Sequence, residues 1–253
     1  MKIELLGCSL SDPREQYLTS FLVNDHLAID AGSLPLSITR ERQLNIQHII
    51  VTHPHLDHFA GLPLMLDNIF IDLPQTVKVY ALEHTIQELH KHIFNNTIWP
   101  DFTSFRNNYG YSLEFELLTP NVPFYIGDLK VIPILVQHTV PTIGLIIEQE
   151  KKAIAFSSDT GDTEEIWQQA RKIRGLKAAF MECSYPKRMQ EVAERYGHLC
   201  TSMLLRQVEK LARNVPIYAY HIKPAYLAEV LAELETFRDQ GVLVAQPNHP
   251  YII

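Results

Sequence analysis

Three histidines and one aspartate fall within six residues of the run Thr52-His53-Pro54-His55-Leu56-Asp57-His58. So many imidazole and carboxylate groups cannot serve an apolar core, because each would need its own polar partner. A divalent cation satisfies them together, each imidazole giving a nitrogen lone pair and the carboxylate a hard oxygen. Four ligands this close exceed what one tetrahedral ion with an open position takes, so two ions are expected. Zn2+ suits the donors best, with Mn2+ or Fe2+ as substitutes. Three further residues, His138, Asp159 and His221, each stand just past an apolar run. Ligands at strand ends along one edge of a sheet can converge although far apart in sequence. On this pattern His53, His55 and His138 form one ion's face and Asp57, His58 and His221 the other's, with Asp159 offering an oxygen to each. Asp30, also at a strand end, is expected to orient a ligand histidine from behind.

The elements that must carry these groups follow from periodicity. Strands are predicted at 3–6, 19–23 and 26–30, with a polar loop through Gly7 and Pro13 and a turn at Asn24-Asp25. A helix over 34–41 leads to the β-branched run at 46–51, which drops the histidine cluster at its end. Helical spacing resumes over 62–69, its N-terminus placed to face the cluster. A strand at 77–81 and a helix at 83–93 follow. Residues 94–111 hold Trp99, Phe102, Phe105, Tyr109 and Tyr111 with no clean period. They read as a surface excursion: a lid over the site, a self-packed loop or a dimer contact. In the second half, strands at 131–136, 144–148, 153–156, 178–181 and 215–219 alternate with helices over 162–173, 186–196, 201–212 and 226–238. With no linker or low-complexity tract, one domain over 1–253 is expected, with two similar β-rich halves.

Bulk properties narrow the function. Hydrophobic residues are 46% and charged residues 20% of the 253, an ordinary globular composition. The formal net charge of −7 argues against a broad footprint for long nucleic acid, though not against a small anion next to bound dications. Three unpaired-looking cysteines, Cys8, Cys183 and Cys200, give no disulfide framework and suit a reducing compartment. Cys183 and Cys200 read as small buried hydrophobes. With no signal-like segment and no apolar run long enough for a membrane span, a cytoplasmic protein without membrane contact is expected.

The His-x-His-x-Asp-His motif with a later His, Asp and His resembles the metallo-β-lactamase fold superfamily. The resemblance implies an α/β (α+β) chain folded as an αββα four-layer sandwich with a dinuclear zinc site at one edge of the sheets. Within the superfamily, His53-Pro54-His55-Leu56-Asp57-His58-Phe59-Ala60-Gly61-Leu62 is similar to the class II cyclic-nucleotide phosphodiesterases. So are Ala31-Gly32-Ser33, Asp67-Asn68, Gly197-His198-Leu199 and His221-Ile222-Lys223-Pro224. Two relatives define the alternatives. The tRNA 3′-processing endonucleases usually carry Gly before the motif Asp and a long basic arm, but only 21 positions separate His138 from Asp159. Glyoxalase II-like thioester hydrolases share the seven ligands, and the Gly-His-Leu and His-Ile-Lys-Pro segments weigh against them. A metal-binding scaffold with little turnover is a third reading, disfavoured by the complete ligand set.

The expected reaction is hydrolysis of a small phosphodiester, a 3′,5′-cyclic nucleotide, by in-line attack of a metal-bridging hydroxide. Asp57 is both a ligand and a group able to orient the nucleophile. His198 is the candidate general acid for the departing 3′ oxygen, or else a residue near the start of the helix at Thr201. Relatives of this fold suggest that Glu182 holds His198. Lys223 is expected to place a positive charge near a phosphate oxygen, and Asn68 to contact the ligand or cap a turn. Relatives also suggest a homodimer.

Overall fold

The computed structural model describes residues 1–6 and 18–253. The loop expected through Gly7 and Pro13, with Cys8, lies outside the described residues. The chain divides into two compact units, residues 1–118 with 247–252 and residues 119–246 with 253.

Each unit is built on one seven-stranded sheet. The first runs, edge to edge, through Pro250–Ile252, Lys2–Leu6, Ser20–Val23, Leu27–Ile29, His48–Ile50, Val77–Ala81 and Leu113–Leu117. Its first three junctions are antiparallel and its last three parallel. The second runs through Phe124–Ile126, Leu129–Val136, Thr142–Gln149, Lys152–Phe156, Leu176–Glu182, Ile217–Tyr220 and Val242–Val244. It repeats the succession, three antiparallel junctions and then three parallel ones. The parallel halves use the continuous apolar runs that strands covered on both faces need. Ala178 to Met181, for example, are all without exposure.

In the first unit the helix Gly61–Ile69 turns Leu62, Met65, Leu66 and Ile69 to the core, the i, i+3, i+4, i+7 stripe of an amphipathic helix. These residues belong to one apolar cluster with Ile49, Val51, Val77 and Val79 of the sheet. Each fully buried aliphatic side chain contributes roughly 1.5–3 kcal/mol. That anchors the strand end from which the histidine cluster departs. In the second unit Trp167 is fully buried, and its indole N–H donates to Gln207 Oε1 at 2.9 Å. Gln207 also accepts from Thr163 N at 3.3 Å and donates to Asp162 Oδ1 at 2.6 Å, so it pins the loop that follows Asp159.

Two expectations are corrected, and of the three readings of residues 94–111 the self-packed one is favoured. The helix over 34–41 is two short ones, Leu34–Ser37 and Arg40–Gln43. The chain is extended at the buried Ile38, and Thr39 caps the second helix by accepting from Arg42 N. The helix over 162–173 shrinks to Glu165–Ala170, because the acidic residues before it bind Lys210 and Gln207 instead. The aromatic excursion at 94–111 packs into its own unit. Phe94 and Phe102 are buried in the apolar cluster, and Phe105 stacks beside Phe102 with ring centroids 5.0 Å apart. Its aromatic content is therefore core, apart from the exposed Tyr109 and Tyr111.

Candidate functional site

In the first unit the donors sit on one turn. The strand His48–Ile50 ends, His55 caps the short helix Leu56–Phe59, and Asp57 and His58 lie inside it. The His53 ring lies 4.7 Å from that of His55 and 4.1 Å from that of His58, centroid to centroid. His58 Nε2 is 3.8 Å from Asp57 Oδ2. Asp30 stands behind them, buried, with a left-handed φ of 58°. Its Oδ1 accepts from Thr52 N at 2.8 Å, and its Oδ2 from Thr52 Oγ1 at 3.0 Å and His58 Nδ1 at 2.6 Å. The Thr52 hydroxyl, donating to Asp30, accepts in turn from His53 Nδ1 at 3.0 Å. Both rings thus carry their proton on Nδ1 and present the Nε2 lone pair. Burial is the largest influence on Asp30 and raises its carboxyl, against the His58 ring and the Thr52 hydrogen bonds.

This turn is clamped from outside. Ala31 N donates to His58 O at 2.7 Å and Thr19 N to Asp57 O at 2.8 Å. A Cβ on Gly32 would lie 2.0 Å from the Asp57 carbonyl oxygen, so only glycine lets the Asp30 turn meet the ligand helix.

In the second unit the donors come from four strand ends. His138 follows Leu129–Val136, Asp159 follows Lys152–Phe156, Glu182 ends its strand, and His221 follows Ile217–Tyr220. His138 Nδ1 donates to the Gly197 carbonyl at 2.7 Å, again presenting the Nε2 lone pair. Gly197 has a φ of 64°, and a Cβ there would lie 3.0 Å from His138 Cα. Asp159 is buried, with Oδ1 3.5 Å from His221 Nδ1 and Oδ2 3.9 Å from His198 Nδ1. Two residues here hold left-handed backbone without being glycine, Ser158 at 53° and His221 at 61°. Such strain gathers where surrounding structure fixes a functional geometry.

His198 is 7% exposed, and its Nδ1 lies 2.7 Å from Glu182 Oε1. Glu182 is fully buried and also accepts from Thr160 N and Ser184 N, both at 3.1 Å. Burial, the largest influence on His198, disfavours the imidazolium. The charge and hydrogen bond of Glu182, with Asp159, outweigh it, Lys223 opposes them, and the pKa rises above the ordinary histidine value. The Lys223 side chain, half-buried just past His221, is therefore within electrostatic reach of His198. A cavity of about 620 Å³ opens beside His138, lined among others by Gly161, Gly197, Met203, Arg195 and Arg206.

The donor set fits divalent ions. Imidazole Nε2 atoms held by hydrogen bonds at Nδ1, with carboxylate oxygens, are the nitrogen and oxygen donors that zinc, manganese and iron accept. The ligand atoms of His53 and His55, and those of Asp57 and His58, lie within 4.8 Å of each other, as do those of Asp159 with both His138 and His221. Asn68 does something else: its amide donates to Gln43 Oε1 at 2.9 Å and its carbonyl accepts from Arg40 Nε, tying two helices together. Cys183 and Cys200 are both fully buried, and burial pushes the Cys183 thiol well up, so neither is a nucleophile. Two hydroxyls, Thr52 and Ser184, carry roles no spacing rule signals; their only sequence mark is that Thr52 precedes His53 and Ser184 stands two residues after Glu182.

The chain is similar to known proteins on every side of this chemistry. It is 26% identical to a probable 3′,5′-cyclic-nucleotide phosphodiesterase of Yersinia pestis, over 87% of this chain and 72% of that one. It is 28% identical to 3′,5′-cyclic-nucleotide phosphodiesterase 1 of Saccharomyces cerevisiae, over 64% of this chain and 49% of the other. The chain thus spans about half the length of that yeast relative. The crystal structure of unliganded yeast PDE1 superposes with a TM-score of 0.81 at 19% identity, covering 100% of this chain and 99% of that one. That likeness shows the fold, and a metallo-β-lactamase fold protein of Bacillus subtilis shares it, with a TM-score of 0.77 at 15% identity over 99% of this chain and 98% of that one. Residues 35–224 match the family described as cAMP phosphodiesterases class-II, and the chain belongs to that family.

Proposed function

We propose that the protein hydrolyses a 3′,5′-cyclic nucleotide with two divalent ions, for which His53, His55, Asp57, His58, His138, Asp159 and His221 are the ligands. The observation that carries the reading is the buried His198–Glu182 pair, a proton donor held at 2.7 Å among the strand-end donors. Thioester cleavage expels a thiolate that leaves without a proton; a ribose 3′ oxygen does not. When bound, ions of this kind lower the pKa of water and neutralise charge building on phosphoryl oxygens.

The residues do the rest. Glu182 accepts the Nδ1 proton of His198 and so turns its Nε2–H toward the leaving group. As water adds to phosphorus and gives up a proton to Asp57, the P–O3′ bond breaks and His198 passes its Nε2 proton to the 3′ oxygen, giving a nucleoside 5′-monophosphate. Asp57 orients the attacking water, and Lys223 adds positive charge beside a non-bridging oxygen. Asn68, engaged with Gln43, has no part in this scheme.

One feature of the second unit weighs against the RNA-processing alternative. Thr142–Gln149 and Lys152–Phe156 pair as an antiparallel hairpin and fill the interval between His138 and Asp159, where an arm for tRNA would insert. The cavity beside His138 falls in the roughly 300–1,000 Å³ range of small-molecule sites. A homodimer and a cytoplasmic location complete the proposal; among the described residues no helix is long and apolar enough to cross a membrane.

The test is a hydrolysis panel on metal-loaded protein: cyclic AMP and cyclic GMP beside bis-p-nitrophenyl phosphate, a tRNA precursor and S-lactoylglutathione. Chelator-sensitive turnover of the cyclic nucleotides is the expected result. Turnover of the thioester alone would overturn it.

A further inference from the structure

We propose that Ser184 is a positioning residue that ties the ligand His221 to the His198–Glu182 proton donor. The hydroxyl is fully buried and has one proton and two lone pairs to place. It donates to the His221 carbonyl oxygen at 3.2 Å and accepts from His221 Nδ1 at 3.1 Å, so it grips both the backbone and the ring of one residue. That residue needs gripping, since His221 holds a φ of 61° without being glycine. Accepting from Nδ1 also fixes the tautomer that leaves Nε2 as the ligand nitrogen. The same oxygen lies 3.3 Å from His198 Nδ1, sharing with Glu182 Oε1 the proton that sets the orientation of that ring.

The main chain of Ser184 completes the junction. Its N–H is shared between Glu182 Oε2 at 3.1 Å and the Leu199 carbonyl at 2.9 Å, and its carbonyl accepts from Lys223 N at 3.1 Å. One residue thereby touches the proton donor, the carboxylate that holds it, a metal ligand and the segment of Lys223. Without the hydroxyl, the His221 ring loses the hydrogen bond at Nδ1 that sets its angle, and the carbonyl of the same residue loses a donor.

This inference rests on the metal-dependent reading above, and the test separates the two. Wild type, S184A, S184C and S184T would be compared in the full chain. Zn2+ affinity is read by competition with a chromophoric chelator, and turnover with saturating metal on cyclic AMP and bis-p-nitrophenyl phosphate. S184A and the near-isosteric S184C, a weak hydrogen bonder, are expected to lose roughly 10–100-fold in affinity for an ion. Both should lose more turnover on cyclic AMP than on the nitrophenyl diester, and S184T, which keeps the hydroxyl, should restore both readouts. Wild-type affinity and an unchanged substrate ratio in S184C overturn the positioning role, as does failure of S184T to restore either readout at an unchanged thermal midpoint. A wild type that binds no Zn2+ overturns the metal-dependent reading itself.

Discussion

The two units share one sheet plan and place their chemistry differently on it. In each, three antiparallel junctions give way to three parallel ones, and a left-handed residue follows the fourth strand: Asp30 in the first sheet and Ser158, beside Asp159, in the second. In the first unit four donors occupy six consecutive residues, two before the short helix Leu56–Phe59 and two inside it, backed by Asp30 and Thr52. In the second, His138, Asp159, Glu182 and His221 arrive from four separate strands. A local turn holds its ligands by short-range geometry. A distributed set depends on sheet register and on cross-links such as Gly197, Ser184 and Gln207. The first arrangement should therefore fail when the turn is displaced, and the second when any single link is cut.

The largest effect is expected at the distributed half. Asp159→Ala removes a carboxylate set near both His138 and His221, and should release at least one ion. Its loss of turnover should exceed the roughly 10–100-fold typical of partners behind the ligands. Metal analysis of the purified variant checks this, and a variant still carrying two ions would break the comparison.

His198→Ala sharpens it, because the distributed half also carries the proposed proton donor. Metal content should stay intact while turnover of cyclic AMP drops by roughly 10²–10⁴-fold, the usual worth of a positioned acid. Bis-p-nitrophenyl phosphate, whose leaving group needs no proton, should suffer much less. Equal losses on the two substrates would remove the general-acid role.

The smallest effect tests the local half. Gly32→Ala places a methyl against the Asp57 carbonyl, and the strain of overpacking costs about 1–3 kcal/mol. A thermal midpoint several degrees lower, with ion affinity reduced, is the expected result. An unchanged midpoint would show that the turn has more freedom than its contacts indicate.

The same contrast explains what was legible in the sequence. The cluster at 53–58 was readable because spacing within one turn maps directly onto geometry. His138, Asp159 and His221 were readable only through their shared position after apolar strands, a signal that works because parallel strands are buried on both faces. The fold class came from the family resemblance that the motif carries, and the strand–helix alternation agrees with it. The edge strands Val242–Val244 and Pro250–Ile252 were not evident, being three residues long and half-buried or exposed at several positions. The break at Ile38 was hidden because helical spacing cannot register a residue buried in extended form. Thr52 and Ser184 were invisible for another reason: a hydroxyl acts through its angle to a ring, which composition does not encode. The partner of Asn68 was hidden in the same way, since spacing does not show that its amide reaches Gln43 on another helix.

The most direct test of the central claim is to titrate metal-stripped protein with Zn2+ or Mn2+ while following cyclic AMP hydrolysis and ion binding together. The account predicts no turnover without metal and a rise that saturates at two ions per chain. Full turnover in metal-stripped protein, or saturation at one ion, would contradict it.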